Sequence, residues 1–339
     1  MPIVNNARLF FNEIPPQGLP SADSTFKYDQ TETVDLDGVD LQGGILIKVI
    51  ALSLDPYMRN RMRPVDTEGD MPAFELHQVV TGFGVGSVIR SGTPNYPTGA
   101  HVYGFMPFQQ YAVFPDNPLA PWGMSGLNLK ILENPHKLPW HYFLGVAGMS
   151  GQTAYYGLKD ISSPKPGETL YVSAACGAVG HLIVQYAKSI GLKVIASCGS
   201  EEKVKILQGL GADHVFNHRS SDVGEELKAH GPIDIYFDNV GGPTLEAALE
   251  NAAPRARFVI CGMISQYNTD IIEGFIVIDW HEKYEQEFYE VVPREVSAGR
   301  IKYIFQAYHG LDHAAEAFLQ LMTGGNVGKS VLILSDDAM

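Results

Sequence analysis

The feature that most constrains the fold is a small-residue loop between an apolar run and an amphipathic helix. The run TLYVSAA (169–175) leads into AACGAVG, in which Ala174, Gly177 and Gly180 are spaced three residues apart. Small residues allow a tight turn and the close approach of a pyrophosphate, and a helix N-terminus adds free N–H groups and a positive dipole end. The loop therefore predicts a dinucleotide site, and the alternative is a plain strand-to-helix turn.

This loop lies within a region that alternates between strands and helices. Apolar residues of the helix after the loop recur with the period of a helix packed on a sheet, at Val179, Leu182, Ile183, Tyr186 and Ile190. The predicted elements that follow are strand KVIASC, helix EEKVKILQGL, strand HVFN, strand PIDIYFDNV, a helix near LEAALENAA and strand RFVICGMI. This alternation predicts a parallel, doubly wound sheet and hence an α/β fold.

The chain before this region has a different pattern. Short β-like runs at 45–54, 78–90 and 101–114 are separated by clusters of Gly and Pro, which is typical of a small β-rich domain. The tail contributes one helix, LDHAAEAFLQLM, and one strand, GKSVLIL, too little for a domain, so we expect it to dock onto one of the others. A chain of 339 residues is long enough for two such domains.

The end of the second predicted strand distinguishes between the nicotinamide cofactors. An NAD site usually carries Asp or Glu about 20 residues after the glycines, bound to a ribose hydroxyl. Here the stretch 196–200 reads ASCGS and has no carboxylate. Gly199 and Ser200 leave room for a 2'-phosphate, and Lys203 on the next helix supplies a cation. We therefore predict NADPH as the cofactor, and the alternative for Lys203 is a solvated surface lysine.

Composition excludes several other classes of function. The formal net charge is -14 without any Lys/Arg run, so neither nucleic acid nor an anionic membrane is a predicted partner. Cys176, Cys198 and Cys261 form no C-x-x-C pair, and we expect neither disulfides nor a metal site. The N-terminus has no basic segment followed by an apolar one, and no apolar stretch reaches about 18 residues. A cytoplasmic location is the resulting expectation.

Several motifs together resemble one family, the zinc-independent medium-chain dehydrogenase/reductases. The chain is most similar to the NADPH-dependent alkenal/one oxidoreductases, a group that includes plant double-bond reductases and leukotriene/prostaglandin reductases. The resemblance covers nearly the whole chain. It is carried by LSLDPYMRNRM (52–62), GMSGQTAYYGL (148–158), AACGAVG (174–180), GSEEKV (199–204), FDNVGG (237–242), CGMISQYN (261–268), GFIV (274–277) and NVGK (326–329).

The resemblance implies two domains and a homodimer. Residues 1–125 with 305–339 would form a GroES-like catalytic domain, and residues 126–304 a Rossmann domain that binds NADP, with the active site in the cleft. Where the family commonly has Tyr, this chain has His218, and a protonated His218 or Arg219 could meet the 2'-phosphate instead. The implied cofactor contacts are Gly177, Ala178, Val179, Gly180, Lys203, His218, Asn239, Cys261, Gly262, Met263, Ile264, Ser265, Tyr267, Phe275, Ile276, Val277 and Asn326.

The resemblance also implies the chemistry, which is reduction of the C=C bond of α,β-unsaturated aldehydes and ketones. Hydride is added to the β-carbon, and negative charge accumulates on the carbonyl oxygen, which needs a hydrogen-bond donor. Tyr57 in DPYMR and Tyr267 in ISQYN are the candidate donors, with a hydroxyl of the cofactor ribose sharing the task. The alternative for each tyrosine is a pocket-lining aromatic.

One segment departs from the family. After the strand RFVICGMI, only SQYNTD precedes the β-like run IIEGFIVIDW, whereas family members have a longer segment with a helix. Parallel neighbours need a crossover of about a dozen residues, so the chain carries either a deletion after Asn268 or a different pairing of 271–279, such as a subunit-crossing strand. Two further functions therefore stay open, an NADPH quinone oxidoreductase and a non-catalytic NADPH-binding protein.

Overall fold

The computed structural model describes residues 3–16, 18–69, 71–116, 129–267 and 277–338. The strands are β1 Ile3–Asn5, β2 Arg8–Phe11, β3 Phe26–Asp29, β4 Thr33–Asp35, β5 Ile45–Ser53, β6 Thr81–Ser91, β7 His101–Pro107, β8 Tyr111–Phe114, β9 Lys130–Ile131, β10 Thr169–Val172, β11 Lys193–Cys198, β12 His214–Asn217, β13 Ile233–Asp238, β14 Ala252–Ile260, β15 Phe305–His309 and β16 Lys329–Ile333. The α-helices are α1 Met149–Tyr156, α2 Gly180–Ser189, α3 Glu201–Gly209, α4 Val223–His230, α5 Gly242–Glu250, α6 His281–Ser297 and α7 Ala314–Met322.

The chain divides into two compact units, and the second is built on a parallel sheet. It comprises Gly145–Phe305 and Asn326–Lys329. Its strand order is β12-β11-β10-β13-β14, and every neighbouring pair is parallel. The central strands β10, β11 and β13 are apolar and mostly buried, as sheets covered on both faces require, and five of the six residues of β11 are buried. This is the doubly wound order of a Rossmann sheet, so the predicted α/β class is confirmed.

The first unit is built on an antiparallel sheet. It comprises Met1–Leu144, Gln306–Gly325 and Ser330–Met339. Its sheet has the order β15-β16-β5-β6-β7-β9, with β8 also paired to β5. The tail strand β16 pairs antiparallel with β5, with Val331 opposite Ser53. The predicted GroES-like β-rich domain is confirmed as a fold, and the run expected at 101–114 is split into β7 and β8.

Some of the predicted elements differ from the observed ones. The β-like run expected at 271–279 is wrong in its described part, because Val277–Trp280 is a 3-10 helix that leads directly into α6. The helix expected near LEAALENAA ends at Glu250, since Ala252 already pairs with Ile233 in the sheet. Helices α1 and α4 were not predicted. In the described ranges, no helix has both the length and the apolar character needed to cross a bilayer.

Candidate cofactor and active site

The sheet of the second unit brings the predicted cofactor residues to one edge. Parallel strands end at the same edge, and ligands of open α/β sheets bind outside those carboxyl ends. Gly177, Ala178, Val179 and Gly180 follow β10, Lys203 follows β11, His218 follows β12, Asn239 follows β13, and Cys261, Gly262, Met263, Ile264, Ser265 and Tyr267 follow β14.

The loop after β10 is shaped by its small residues. A Cβ at Gly180 would lie 2.6 Å from the Cα of Ala175, a contact with backbone that cannot move aside. A Cβ at Gly177 would meet only the carbonyl oxygen of Ala174, at 3.1 Å. Ala174 itself has a φ of 45°, in the left-handed region that favours glycine. The close approach of α2 to the strand therefore depends chiefly on Gly180.

A distant piece of the chain completes this loop. The Gly328 amide donates to the Cys176 carbonyl at 2.9 Å, and Gly328 forms a parallel bridge with Gly177. The side-chain amide of Asn326 donates to the Gly328 carbonyl at 2.8 Å. Asn326, predicted from the motif NVGK, is thus buried, and it is connected to the glycine loop through Gly328.

His181 in the first turn of α2 also holds the loop, and sequence reasoning missed it. Its Nδ1 lies 2.7 Å from the Gly177 carbonyl oxygen, and its Nε2 accepts from the Ile304 amide at 3.3 Å. These two partners fix the neutral tautomer with the proton on Nδ1. Burial lowers the pKa of His181 to about 4. His181 lies on the helix face opposite the predicted apolar stripe, so the pattern of the helix carried no signal for its burial.

Cationic side chains gather at the end of β11. A Cβ at Gly199 would lie 3.4 Å from both Nε of Arg219 and Nε2 of His218, so these two side chains lie over the glycine. Burial, followed by the charges of Arg219 and Lys203, lowers the pKa of His218. Burial is also the main cause that lowers the pKa of Lys203. We call Lys203, His218 and Arg219 the cationic cluster.

A buried carboxylate organises the loop after β13. Oδ1 of Asp238 accepts from the Tyr236 hydroxyl at 2.6 Å and from the amides of Val240 and Gly241 at 2.8 Å each. Nδ2 of Asn239 donates to the Ser173 carbonyl at 2.8 Å, which joins this loop to the loop after β10. The sequence motif FDNVGG contains Asp238, but its organising role was not predicted.

Tyr267 lies in the segment after β14. A Cβ at Gly262 would lie 3.1 Å from the Tyr267 hydroxyl oxygen, so the hydroxyl sits directly against that glycine. Burial is the main cause that raises the pKa of Tyr267 to about 12, with smaller effects from Cys261 and Asp238. Burial and Asp238 likewise raise the pKa of the Cys261 thiol to about 12. Both groups are protonated at neutral pH, so Tyr267 can donate a hydrogen bond and Cys261 is not a nucleophile.

Tyr57 belongs to the first unit, within the 3-10 helix Pro56–Arg59. Its hydroxyl is buried and has no hydrogen-bond partner among the described residues. Burial, followed by the charge of Asp55, raises its pKa well above the usual value, whereas Arg61 opposes the shift. Arg61 is itself buried, donates to the Thr81 carbonyl at 2.7 Å and lies 4.1 Å from the ring centre of Phe74.

The remaining predicted contacts are placed as follows. Val277 is half-buried at the start of the 3-10 helix before α6. Phe275 and Ile276, together with the shortened segment after Asn268, lie outside the described residues. Tyr57 belongs to the first unit and Tyr267 to the second.

Comparison with known proteins identifies the family. A family model described as an N-terminal domain of oxidoreductase matches residues 10–121, and one described as zinc-binding dehydrogenase matches residues 178–284. NADP-dependent oxidoreductase RED1 of Cochliobolus heterostrophus is 39% identical over 355 aligned residues, which cover 98% of this chain and 98% of that protein. The chain belongs to the zinc-independent medium-chain dehydrogenase/reductases. Within that family it falls in the NADPH-dependent alkenal reductase group, so the predicted family is confirmed.

Two further similarities concern the cofactor. The NADP(+)-dependent 2-alkenal reductase of Nicotiana tabacum is 38% identical over 325 aligned residues, covering 89% of this chain and 91% of that protein. The crystal structure of CurA from Vibrio vulnificus in complex with NADPH has a TM-score of 0.84 and 33% identity, covering 97% of this chain and 99% of that one. The cofactor of this medium-chain reductase is NADPH, as predicted.

The cationic cluster fits the 2'-phosphate that distinguishes NADPH from NADH. Burial, followed by the positive charges of Arg219 and Lys203, lowers the pKa of His218, so protonation of His218 is opposed by the two cations beside it. A bound dianion would relieve this repulsion and accept charge-assisted hydrogen bonds. Glu201, on the following helix, accepts from the Asn217 side chain at 2.8 Å.

Proposed function

We propose that this medium-chain reductase reduces the C=C bond of α,β-unsaturated aldehydes and ketones. The observation that carries the proposal is the placement of Tyr267, which follows β14 at the same sheet edge as the glycine loop and the cationic cluster. Its hydroxyl has a pKa raised to about 12 and therefore remains a hydrogen-bond donor at neutral pH. The 2-alkenal reductase of Nicotiana tabacum, by its name, acts on substrates of this class.

Each group would have a separate task. The glycine loop Gly177–Gly180 would bind the pyrophosphate through the free amides at the start of α2, and the cationic cluster would bind the 2'-phosphate. Bound NADPH supplies the hydride that this reaction adds to the β-carbon. Tyr267 would donate to the carbonyl oxygen, where negative charge develops, and so lower the barrier more than it strengthens substrate binding.

Tyr57 is the second candidate donor. Its hydroxyl is buried without a partner among the described residues, and a buried donor without a partner costs free energy that a substrate oxygen would recover. Its raised pKa keeps it protonated throughout the neutral range. Removal of each hydroxyl by substitution to Phe therefore tests one candidate donor at a time, Tyr57 or Tyr267.

The test is a steady-state assay of NADPH consumption with nonenal, butenone and cinnamaldehyde. Tyr267→Phe should lower kcat by roughly a hundredfold while NADPH affinity, measured by fluorescence titration, changes little. Tyr28→Phe is the matched control, since Tyr28 lies exposed on β3. An unchanged kcat for Tyr267→Phe together with a strongly reduced kcat for Tyr57→Phe would transfer the role to Tyr57.

The same assay separates the alternatives that the sequence left open. A quinone turned over far faster than any enal would replace the proposal with a quinone oxidoreductase. Tight NADPH binding without turnover of any enal, enone or quinone would replace it with a non-catalytic NADPH-binding protein. The predicted domain limits at residues 125 and 304, the homodimer and the cytoplasmic location stay predictions. Light scattering of the purified protein checks the oligomeric state.

A further inference from the structure

A cluster of three metal-ligating side chains lies away from the candidate cofactor residues, between β12 and α4. His214 begins β12, and Glu226 and His230 stand four residues apart on α4, so the two helical side chains share one face. Nε2 of His214 lies 2.8 Å from Oε2 of Glu226, and Nε2 of His230 lies 4.0 Å from the same oxygen. One ligand atom from each residue lies within 4.8 Å of the others.

The two imidazole rings are stacked, with their centroids 3.5 Å apart. Two imidazolium ions at this distance would repel each other, so the arrangement favours neutral rings, and neutral rings are the form that binds metals. A metal ion in place of the His214 proton that faces Glu226 would pair the carboxylate with a positive charge.

We propose that His214, Glu226 and His230 bind a divalent transition-metal ion such as Zn²⁺, with water completing the coordination. Two nitrogens and one carboxylate oxygen match the preferences of zinc, whereas Mg²⁺ and Ca²⁺ prefer oxygen ligands throughout. At bond lengths of about 2.1 Å, ligand atoms around a tetrahedral zinc ion stand roughly 3.4 Å apart. The ligand atoms of the cluster already lie within 4.8 Å of one another, so rotation of the side chains would have to change their separations only modestly.

The surroundings leave room for that rotation. The side chains of His214, Glu226 and His230 are 24%, 25% and 38% exposed, so an ion can enter from solvent. Lys193 is a positive charge that would oppose the binding of a cation. Its Nζ donates to the His230 carbonyl at 2.7 Å and thereby holds the end of α4. A bound ion would link the start of β12 to α4, and so restrain the connection between them.

The experiment uses the full-length protein freed of metal by a chelator. Isothermal titration with ZnCl₂ should show one equivalent bound per chain, CoCl₂ should produce a visible d–d absorption band, and MgCl₂ should give no heat. His230→Gln and Glu226→Gln should each weaken Zn²⁺ binding at least tenfold and remove the cobalt band. The control His313→Gln replaces an exposed histidine beside Asp312 and should change neither result.

Zn²⁺ binding at full strength in either cluster variant would overturn the proposal, as would the absence of a bound equivalent in the original protein. If one variant fails to fold, the other variant decides. The measurements need no NADPH and no substrate, so their outcome is independent of the function proposed above.

Discussion

The two ends of the candidate NADPH site are built from different parts of the chain. At the glycine loop the backbone itself forms the surface, and a single added carbon at Gly180 would approach the Cα of Ala175 to 2.6 Å. At the 2'-phosphate end, the proposed binding groups are the long side chains of Lys203, His218 and Arg219. A surface made of backbone tolerates almost no added atom. A set of cationic side chains can lose one member, and the result is only a weaker affinity for NADPH. A single substitution in the glycine loop should therefore cause a large loss, whereas a single substitution among the cationic side chains should cause a partial loss.

The largest effect is expected for Gly180→Ala. The added methyl group would overlap backbone atoms of Ala174 and Ala175, so α2 must move away from the strand at a cost of roughly 3–4 kcal/mol. Urea unfolding of the protein without cofactor measures this loss, and fluorescence titration measures the accompanying loss of NADPH binding. Gly177→Ala is the matched control, because its methyl group would meet only one carbonyl oxygen, at 3.1 Å. Equal losses in the two variants would mean that the loop is not held by close packing of α2.

The second effect concerns His181 and the pH dependence of stability. The folded pKa of about 4 lies below the usual value near 6.5, so between these values the unfolded chain binds a proton that the folded chain does not. The contribution of neutral His181 to the free energy of unfolding is therefore complete above pH 6.5 and is lost as the pH falls towards 4. The lost stability is on the order of 3 kcal/mol.

Unfolding by urea at several pH values between 4 and 7 measures the slope of the free energy of unfolding against pH. His181→Asn should unfold more easily at pH 7 and show a smaller loss on acidification, because it carries no titrating group. His309→Asn, which changes an exposed histidine, should keep the original slope. A slope that is the same in His181→Asn as in the unsubstituted protein would contradict the assignment.

The third effect tests the side-chain end of the site. Lys203→Ala removes one of the cations proposed for the 2'-phosphate and should raise the KM for NADPH by roughly 30-fold, or about 2 kcal/mol. The KM for NADH should change by less than a factor of about two, because NADH lacks that phosphate. Lys205→Ala, an exposed lysine on the same helix, should change neither value. Equal increases for both cofactors would remove Lys203 from the phosphate site.

This contrast also explains how much could be predicted from the sequence. Loops made of backbone need particular small residues at fixed spacing, so the spacing of Ala174, Gly177 and Gly180 predicted the loop. The alternation of strands and helices predicted the parallel sheet. Features made by side chains from separate strands leave no local pattern. The pairing of Gly328 with the loop, the hydrogen bond from Asn239 to Ser173 and the contact of His181 with Ile304 each join residues that are distant in sequence.

The metal-ligating cluster was missed for a related reason. Glu226 and His230 lie on α4, a short helix that was not predicted, and His214 lies on a strand that was predicted only for its apolar residues. Without α4, the spacing of these residues carries no information about a shared site. The proposed roles of Tyr57 and Tyr267 came from motif resemblance instead, and the structure adds their burial and protonation.

The smallest effect is expected at Ala174. This residue of the glycine loop carries a Cβ although its backbone conformation favours glycine. Its φ of 45° is unfavourable for a residue with a Cβ, by about 1–2 kcal/mol. Glycine relieves that cost but adds freedom to the unfolded chain, so Ala174→Gly should stabilise the protein without cofactor by less than about 1 kcal/mol, seen as a small rise in Tm. Ala175→Gly, at a buried neighbour outside the left-handed region, should lower the Tm instead. If both substitutions lower it equally, the turn imposes no strain at Ala174, and the alanine there is as suitable as the glycine that such loops ordinarily carry.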